Sequence, residues 1–301
     1  MNRTLLAHAA AAAAALSAGT AVVATRFAIG ETDPLSLVFF RYLISVLCFA
    51  PFLPMLWPRQ GLSLPEAAKI ALFGILFFVL FPWGFNASLE IVPAARGAVG
   101  LATVPIQTLL VAAAFGRESL TVAKIGGVLL AFGGIAVAFG AAALGQVGAD
   151  YLLGDVLMLL GVLCAAVYSV FSRPTLMRHG PLFVTAMGMA VSVVTLAPVV
   201  AVGGGMALPA FSFGGWLALL FLGSFAGALQ FSLYMWALRW LPPTTTALYL
   251  TLNPIAAMAL GTILLGEALT AELVAGLVLI LGGILVGAGL FKLKVRAAQS
   301  P

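Results

Sequence analysis

The chain has 301 residues, of which 63% are hydrophobic and only 8% are charged, and its formal net charge is +5. Because soluble domains carry about 25% charged residues, this composition excludes a soluble protein and predicts a chain that lies mostly in lipid. The basic residues are scattered singly, which argues against a nucleic-acid partner. Cys48, Cys164, His8 and His179 stand apart from one another in the sequence, so we expect no disulfide framework, metal site or cofactor.

Apolar runs of about twenty residues, broken by proline, glycine and charge, predict ten membrane-spanning helices. We number these spans 1 to 10; in chain order they cover residues 4–26, 34–56, 67–89, 93–115, 121–141, 152–173, 181–202, 213–238, 243–265 and 271–291. The first run also resembles a cleaved secretory signal. It continues past Ala15 to Ala24, long enough to cross a membrane, and we therefore interpret it as span 1.

The two halves of the chain repeat each other, first at an offset of 147 residues and then at 149. Matched pairs include Pro34/Pro181, Ser45/Ser192, Gly74/Gly223, Pro93/Pro242, Pro105/Pro254 and the tetrapeptides 118–121/267–270. A repeated unit with five spans must enter the membrane in opposite orientations, which predicts an inverted repeat with its pseudo-two-fold axis in the membrane plane. We expect an all-α polytopic membrane protein, with ten transmembrane helices as two inverted five-helix repeats (residues 1–145 and 146–301) around a central cavity.

Basic residues fix the predicted orientation. On the side that carries both termini we count Arg3, Arg59, Lys69, Arg117, Lys124, Arg173, Arg178, Arg239, Lys292, Lys294 and Arg296, which is 11 of the 14 basic residues. By the positive-inside rule, both termini face the cytoplasm. We expect a multi-pass protein of the bacterial cytoplasmic (inner) membrane.

Taken with these features, the chain resembles the ten-helix, EamA-type branch of the drug/metabolite transporter superfamily. The most specific parts are residues 105–134 and 254–283, each with a mid-helix proline, a Glu-x-Leu-Thr turn and a glycine-patterned helix. Arg41, seven residues after Pro34, also matches an arginine that the family usually carries. The resemblance implies export of amino acids and other small metabolites, and within it we expect an exporter similar to the aromatic amino-acid type.

Pro105 and Pro254 lie near the centres of spans 4 and 9. Proline removes a backbone donor and kinks a helix, and matched interruptions in two inverted repeats point to a transporter's binding site. We expect both prolines to act as hinges that line the cavity, although a kink that only shapes packing is the alternative.

Polar and aromatic side chains near these kinks are the candidate substrate-binding residues. Rings that stack and amides that orient polar ends suit a small amphipathic solute. The candidates are Arg41, Trp83, Phe85, Asn86, Thr103, Gln107, Tyr168, Gln230, Tyr234, Tyr249 and Asn253. Alternatively, such groups only hold one helix to another.

Arg41 is the most costly of these residues, because a charge inside a bilayer costs about 2.5–3.5 kcal/mol on insertion scales. Its position predicts a depth of about 10 Å from the outer end of span 2. The side chain then reaches back to the headgroups, holds a substrate carboxylate, or pairs with Glu90 or another acid. No acid falls near the midplane of any span, which favours a neutral or zwitterionic solute.

Two other matched features are expected to be structural. Glu118 and Glu267 lie in turns just before Thr121 and Thr270, which are good helix N-caps. Spans 5 and 10 carry glycines at spacings that allow close helix approach, namely Gly126, Gly133 and Gly140, and then Gly276, Gly282, Gly283, Gly287 and Gly289. We expect these two helices to form scaffold or a homodimer contact.

The sequence thus predicts a secondary transporter that works by alternating access between two inverted halves, with a small-molecule solute and membrane lipid as its partners. No P-loop pattern is present, so ATP is not the direct energy source. The same fold carrying a drug, nucleobase or sugar derivative is the alternative. An integral membrane lipid-modifying enzyme is a remote one, because the chain lacks a nucleophile, base or metal cluster; we expect no enzyme activity.

Overall fold

The computed structural model describes residues 3–29, 31–58, 61–92, 100–144, 151–203, 211–253, 256 and 271–289. Within these ranges the chain forms helices and short connections and no strand. Several residues singled out in the sequence lie outside the described part of the chain: Arg59, Pro93, Pro254, Glu267, Thr270, Lys292, Lys294 and Arg296.

The first repeat contains spans 1 to 5. Its helices are Arg3–Ile29 in span 1, Pro34–Phe49, Ala50–Phe52 (3-10) and Leu53–Leu56 in span 2, Leu64–Gly74, Ile75–Leu80 (π) and Phe81–Ile91 in span 3, Val104–Ala114 in span 4, and Val122–Leu144 in span 5. Asp33 accepts bonds from the amides of Leu35 and Ser36 and so caps span 2, as expected for an aspartate before a proline that begins a helix.

The second repeat contains spans 6 to 10. Its helices are Leu152–Phe171 in span 6, the short connecting helix Arg173–His179, Pro181–Val202 in span 7, Phe213–Gly223, Ser224–Leu229 (π) and Gln230–Trp240 in span 8, Pro243–Tyr249 and Leu250–Leu252 (3-10) in span 9, and Ala271–Gly287 in span 10. Six of the described helical runs, those of spans 1, 2, 3, 6, 7 and 8, are long and apolar enough to cross a membrane. The described parts of spans 4, 5 and 10 include shorter apolar helices.

Helix contacts occur in pairs that the repeat relates. Span 1 packs on span 8 as span 6 packs on span 3, and span 2 packs on span 8 as span 7 packs on span 3. Spans 2 and 7, 4 and 9, and 5 and 10 each contact their own repeat partner. This pattern is the one that a pseudo-two-fold axis between two inverted halves requires.

Spans 5 and 10 approach each other through glycines. A Cβ atom on Gly127 would lie 2.5 Å from the Cα of Gly287, and one on Gly283 would lie 2.6 Å from the carbonyl oxygen of Gly127. Gly134 meets Gly276 in the same way, whereas Gly126 faces open space. In span 5 the contact is therefore made by Gly127 and Gly134, each one residue after the predicted Gly126 and Gly133. The contact joins the two repeats within one chain. A homodimer contact through these helices stays a prediction.

Spans 3 and 8 each contain a π-helical segment, Ile75–Leu80 and Ser224–Leu229. The two segments correspond at the 149-residue offset, and each follows a repeat-matched glycine, Gly74 or Gly223. Neither segment was predicted, because a π turn needs no proline and its sequence reads as ordinary apolar helix. Such segments occur frequently at functional sites.

Candidate functional site

A cluster of buried rings lies where the two repeats meet. Phe77 contacts Tyr168 at 4.5 Å between ring centroids, Phe231 at 5.7 Å and Tyr234 at 6.0 Å, the last with nearly parallel planes. Phe78 joins the group through edge-to-face contacts with Phe231 at 5.3 Å and Tyr42 at 5.4 Å. We call these six residues the aromatic cluster: Tyr42, Phe77, Phe78, Tyr168, Phe231 and Tyr234. They come from spans 2, 3, 6 and 8, so the cluster is built by both repeats.

The predicted residues Tyr168, Tyr234 and Gln230 give this cluster polar ends. The Tyr234 hydroxyl forms a hydrogen bond with the Ser169 hydroxyl at 3.1 Å, and the Tyr168 hydroxyl donates to the sulfur of Met235 at 3.0 Å. Gln230 begins the helix after the second π segment. Its side chain is buried, and its Oε1 atom accepts no hydrogen bond. An unsatisfied buried amide oxygen is costly in isolation, and it is suited to a donor on a solute.

Arg41 lies beside the aromatic cluster. Its Nη2 atom donates to the Ala226 carbonyl in the second π segment at 2.7 Å, and its guanidinium carbon is 5.8 Å from the ring centroids of both Tyr42 and Phe231. The Nε atom is shielded from solvent and has no partner. Among the described residues no carboxylate pairs with Arg41, and Glu90 is exposed. Of the interpretations open at the sequence level, the pairing with Glu90 is wrong.

Thr103 and Gln107 share a face of span 4, but they bond to protein groups. The Gln107 Nε2 atom lies 3.3 Å from both the Thr103 hydroxyl and the Leu159 carbonyl of span 6, and Thr103 donates to the Gly100 carbonyl at 2.6 Å. Pro105 is buried in the first turn of Val104–Ala114, directly after turn residues 102 and 103. The helix is therefore interrupted where the proline is placed, and the amide holds spans 4 and 6 together.

The predicted residues of span 3 follow its π segment. Asn86 is buried, Phe85 packs at 6.3 Å from Phe81, and Trp83 is 44% exposed. These three residues do not share the aromatic cluster, and their role in binding stays a prediction.

Tyr249 and Asn253 are buried in span 9 on either side of its 3-10 turn. The Tyr249 hydroxyl bonds the Nδ1 atom of His8 in span 1 at 3.0 Å. The Asn253 Oδ1 atom has no partner. His8 is isolated in the sequence but not in the fold, because the pseudo-symmetric packing brings span 1 against span 9.

Glu118 has the structural role that was expected. It is nearly buried; its Oε1 atom accepts the Thr244 amide at 3.0 Å, and its Oε2 atom accepts from Lys124 Nζ at 2.7 Å. The carboxylate of the first repeat thus caps span 9 of the second. Thr121 accepts the Lys124 amide at 3.3 Å, as an N-cap does.

Sequence reasoning did not find Tyr42, Phe77, Phe78, Phe231 or Ser169. A phenylalanine within an apolar span carries no signal that separates a cavity wall from a lipid-facing position. The 149-residue offset does offer a signal, because the π segment of span 3 has Phe77 and Phe78 where span 8 has Ala226 and Gly227. In the described ranges no three His, Cys, Asp or Glu side chains form a metal-binding group.

Comparison with known proteins places this architecture. An uncharacterized transporter of Archaeoglobus fulgidus is 24% identical over 273 residues, covering 89% of this chain and 93% of its own. The uncharacterized inner membrane transporter YedA of Escherichia coli is 28% identical over 292 residues, covering 94% and 91%. A solved crystal structure matches with a TM-score of 0.76 at 21% identity, over 94% of this chain and 97% of the other, which shows the shared fold. The model of the EamA-like transporter family matches residues 5–140 and 152–287, and the chain therefore belongs to this family of membrane transporters.

Proposed function

We propose that this transporter exports amino acids, aromatic ones included, across the cytoplasmic membrane by alternating access, with both termini in the cytoplasm. The observation that carries the proposal is the aromatic cluster at the meeting of the two repeats, with polar groups at its edge. Rings give a flat apolar solute stacking area. At the polar end of the solute, the Gln230 oxygen accepts a hydrogen bond and the Tyr234 hydroxyl accepts or donates one.

The inverted repeat supports the transport mechanism. Two halves of the same fold placed in opposite orientations give inward-open and outward-open states of similar energy when the halves exchange conformations. The aromatic cluster takes rings from both halves, so a relative rocking motion of the repeats separates and rejoins its walls. No covalent chemistry is needed for this cycle.

Transport by purified protein in liposomes tests the proposal. Efflux of labelled amino acids should be lost or fall about tenfold or more in Phe77→Leu and Gln230→Ala, because each removes a wall group of the solute site. Phe213→Leu is the matched control: Phe213 is an aromatic residue of span 8 that is 81% exposed, and its change should leave efflux intact.

Efflux by Tyr249→Ala and Asn253→Ala tests whether the site extends to span 9. Unchanged efflux in Gln230→Ala, Tyr249→Ala and Asn253→Ala together would show that the proposed site is wrong. Transport of a nucleobase, drug or sugar derivative in place of every amino acid would keep the carrier and overturn the cargo.

A further inference from the structure

The second π segment and Arg41 form one unit. In an ordinary α-helix the amide of Gln230 would donate to the carbonyl four residues earlier, that of Ala226. Here the Gln230 amide is directed to the carbonyls of Phe225 and Gly227. The Ala226 carbonyl instead accepts from the Arg41 guanidinium at 2.7 Å.

The Arg41 guanidinium is incompletely satisfied in this arrangement. It has five N–H donors, and among the described residues its hydrogen bond is to a neutral carbonyl, which does not neutralise its charge. Its Nε donor is buried without a partner. The two rings that flank it at 5.8 Å attract a cation through their faces but do not supply an anion. A partly buried cation of this kind favours an anionic ligand that can take two parallel hydrogen bonds, which is the geometry of a carboxylate.

We propose that Arg41 is the anion subsite of the transported solute, and that a solute carboxylate binds the guanidinium in place of the Ala226 carbonyl. This inference rests on the proposed export function and narrows its cargo to carboxylate-bearing solutes. The released Ala226 carbonyl then accepts the Gln230 amide, and the π turn that precedes Gln230 closes to an α turn. Binding of the carboxylate thereby changes the register of the helix that carries Gln230, Phe231 and Tyr234, three groups at the solute site.

The repeat supplies an internal comparison for this unit. In span 3 the amide of Phe81, which corresponds to Gln230, is directed to the carbonyl of Leu76. The residue that corresponds to Arg41 is Gly188, so the first π segment lacks a cation at the matched position. Only the second segment should therefore respond to an anion.

Ligand series that differ in one group test the anion subsite. Thermal stabilisation of purified protein is measured with L-phenylalanine, L-phenylalaninamide and phenethylamine, and with leucine, leucinamide and isoamylamine. In the wild type the acid of the preferred series should bind at least about tenfold more tightly than its amide and amine, because only the acid can form the charge-assisted pair. Arg41→Gln should reduce that discrimination to about twofold or less, and Arg41→Lys, which keeps a cation without the planar fork, should give an intermediate value.

The discrimination ratio separates ligation from a structural role. A variant that is merely distorted loses affinity for acid, amide and amine alike and leaves their ratio unchanged. Lys69→Gln, which removes an exposed cation of span 3, should keep the wild-type ratio. Equal binding of acid and amine by the wild type overturns the inference even if no Arg41 variant can be purified.

Hydrogen exchange tests the second half of the inference. Saturating amino acid should slow exchange of amides in Ser224–Gln230, and the matched segment Ile75–Phe81 should not change. Unchanged exchange in both segments, or an equal change in both, overturns the displacement of the Ala226 carbonyl. If amino acids are exported but amines bind equally well, the anion subsite fails and the proposed function stands; if no amino acid is carried, the proposed function fails and this inference fails with it.

Discussion

Where span 7 meets span 3, Gly74 faces the carbonyl of Gly188 and the side chain of Val191; a Cβ on Gly74 would lie 2.9 Å and 3.2 Å from them. Where span 2 meets span 8, Gly223 faces the repeat-equivalent groups, the carbonyl of Arg41 at 3.0 Å and the side chain of Ile44 at 2.5 Å. The backbones of the two contacts are therefore built alike.

The two contacts are filled differently. Around span 3, Phe77 and Phe78 project from the π segment, and the Phe78 ring would lie 2.9 Å from a Cβ on Gly188. Around span 8 the corresponding residues are Ala226 and Gly227, and the large side chain is Arg41 on span 2. The duplicated scaffold thus carries aromatic side chains at one contact and a cation at the other.

Removing the aromatic filling should have the largest effect on stability. Phe78→Ala deletes a fully buried ring that contacts both Tyr42 and Phe231, and the cavity should cost about 3–5 kcal/mol of unfolding free energy. Thermal unfolding in detergent measures the change. Phe225→Ala, in the other π segment and 40% exposed, is the control, and an equal loss there would contradict the difference between the two fillings.

Substitution of the glycines at these two contacts should lower the unfolding free energy by somewhat less, and by similar amounts at both contacts. Gly74→Val and Gly223→Val each place side-chain atoms against a neighbouring backbone, and overpacking of this kind costs about 1–3 kcal/mol. Gly126→Val is the control, because a Cβ there meets nothing within 4 Å. If the same unfolding measurement showed that Gly74→Val is tolerated and Gly223→Val is not, or the reverse, the two contacts would not be equivalent.

The matched serines offer a finer comparison. Ser45 donates to the Gly223 carbonyl at 2.6 Å, and Ser192 donates to the Phe78 carbonyl at 2.8 Å. Ser45→Ala and Ser192→Ala should each lower the unfolding free energy by about 0.6–1.7 kcal/mol, the range for hydrogen bonds between membrane helices. Exposed Ser224→Ala, whose hydroxyl bonds within its own helix, should be neutral, and a loss as large there would show that the cross-repeat bonds have no special value.

Tyr234→Phe should have the smallest effect on stability, about 0.6 kcal/mol, because it removes only the hydroxyl that bonds Ser169. It also makes span 8 match span 3, where Phe85 occupies the corresponding position. Efflux of a polar aromatic amino acid should weaken a few-fold while the fold remains. Unchanged efflux would exclude the hydroxyl from the site.

The spans and the repeat were predictable because the length of an apolar helix and the spacing of prolines and glycines are written directly in the sequence. Tyr168, Gln230 and Tyr234 were predicted because a polar group within a membrane span is costly and therefore indicates a role in binding or packing. Phe77, Phe78 and Phe231 were not, because their burial depends on a π turn that alters which face of span 3 or span 8 points inward. Gln107 carried the same signal as Gln230, and only the fold shows that it bonds span 6.

The glycine contact between spans 5 and 10 has a mechanical consequence. Two helices whose backbones touch without intervening side chains cannot slide freely past each other. Here the two helices belong to different repeats. In the proposed alternating-access cycle, we therefore expect this contact to act as a fixed pivot about which the two halves tilt. We expect the motion that opens a path to either face of the bilayer to lie away from this pivot, in spans 3 and 8, where the helices contain π segments.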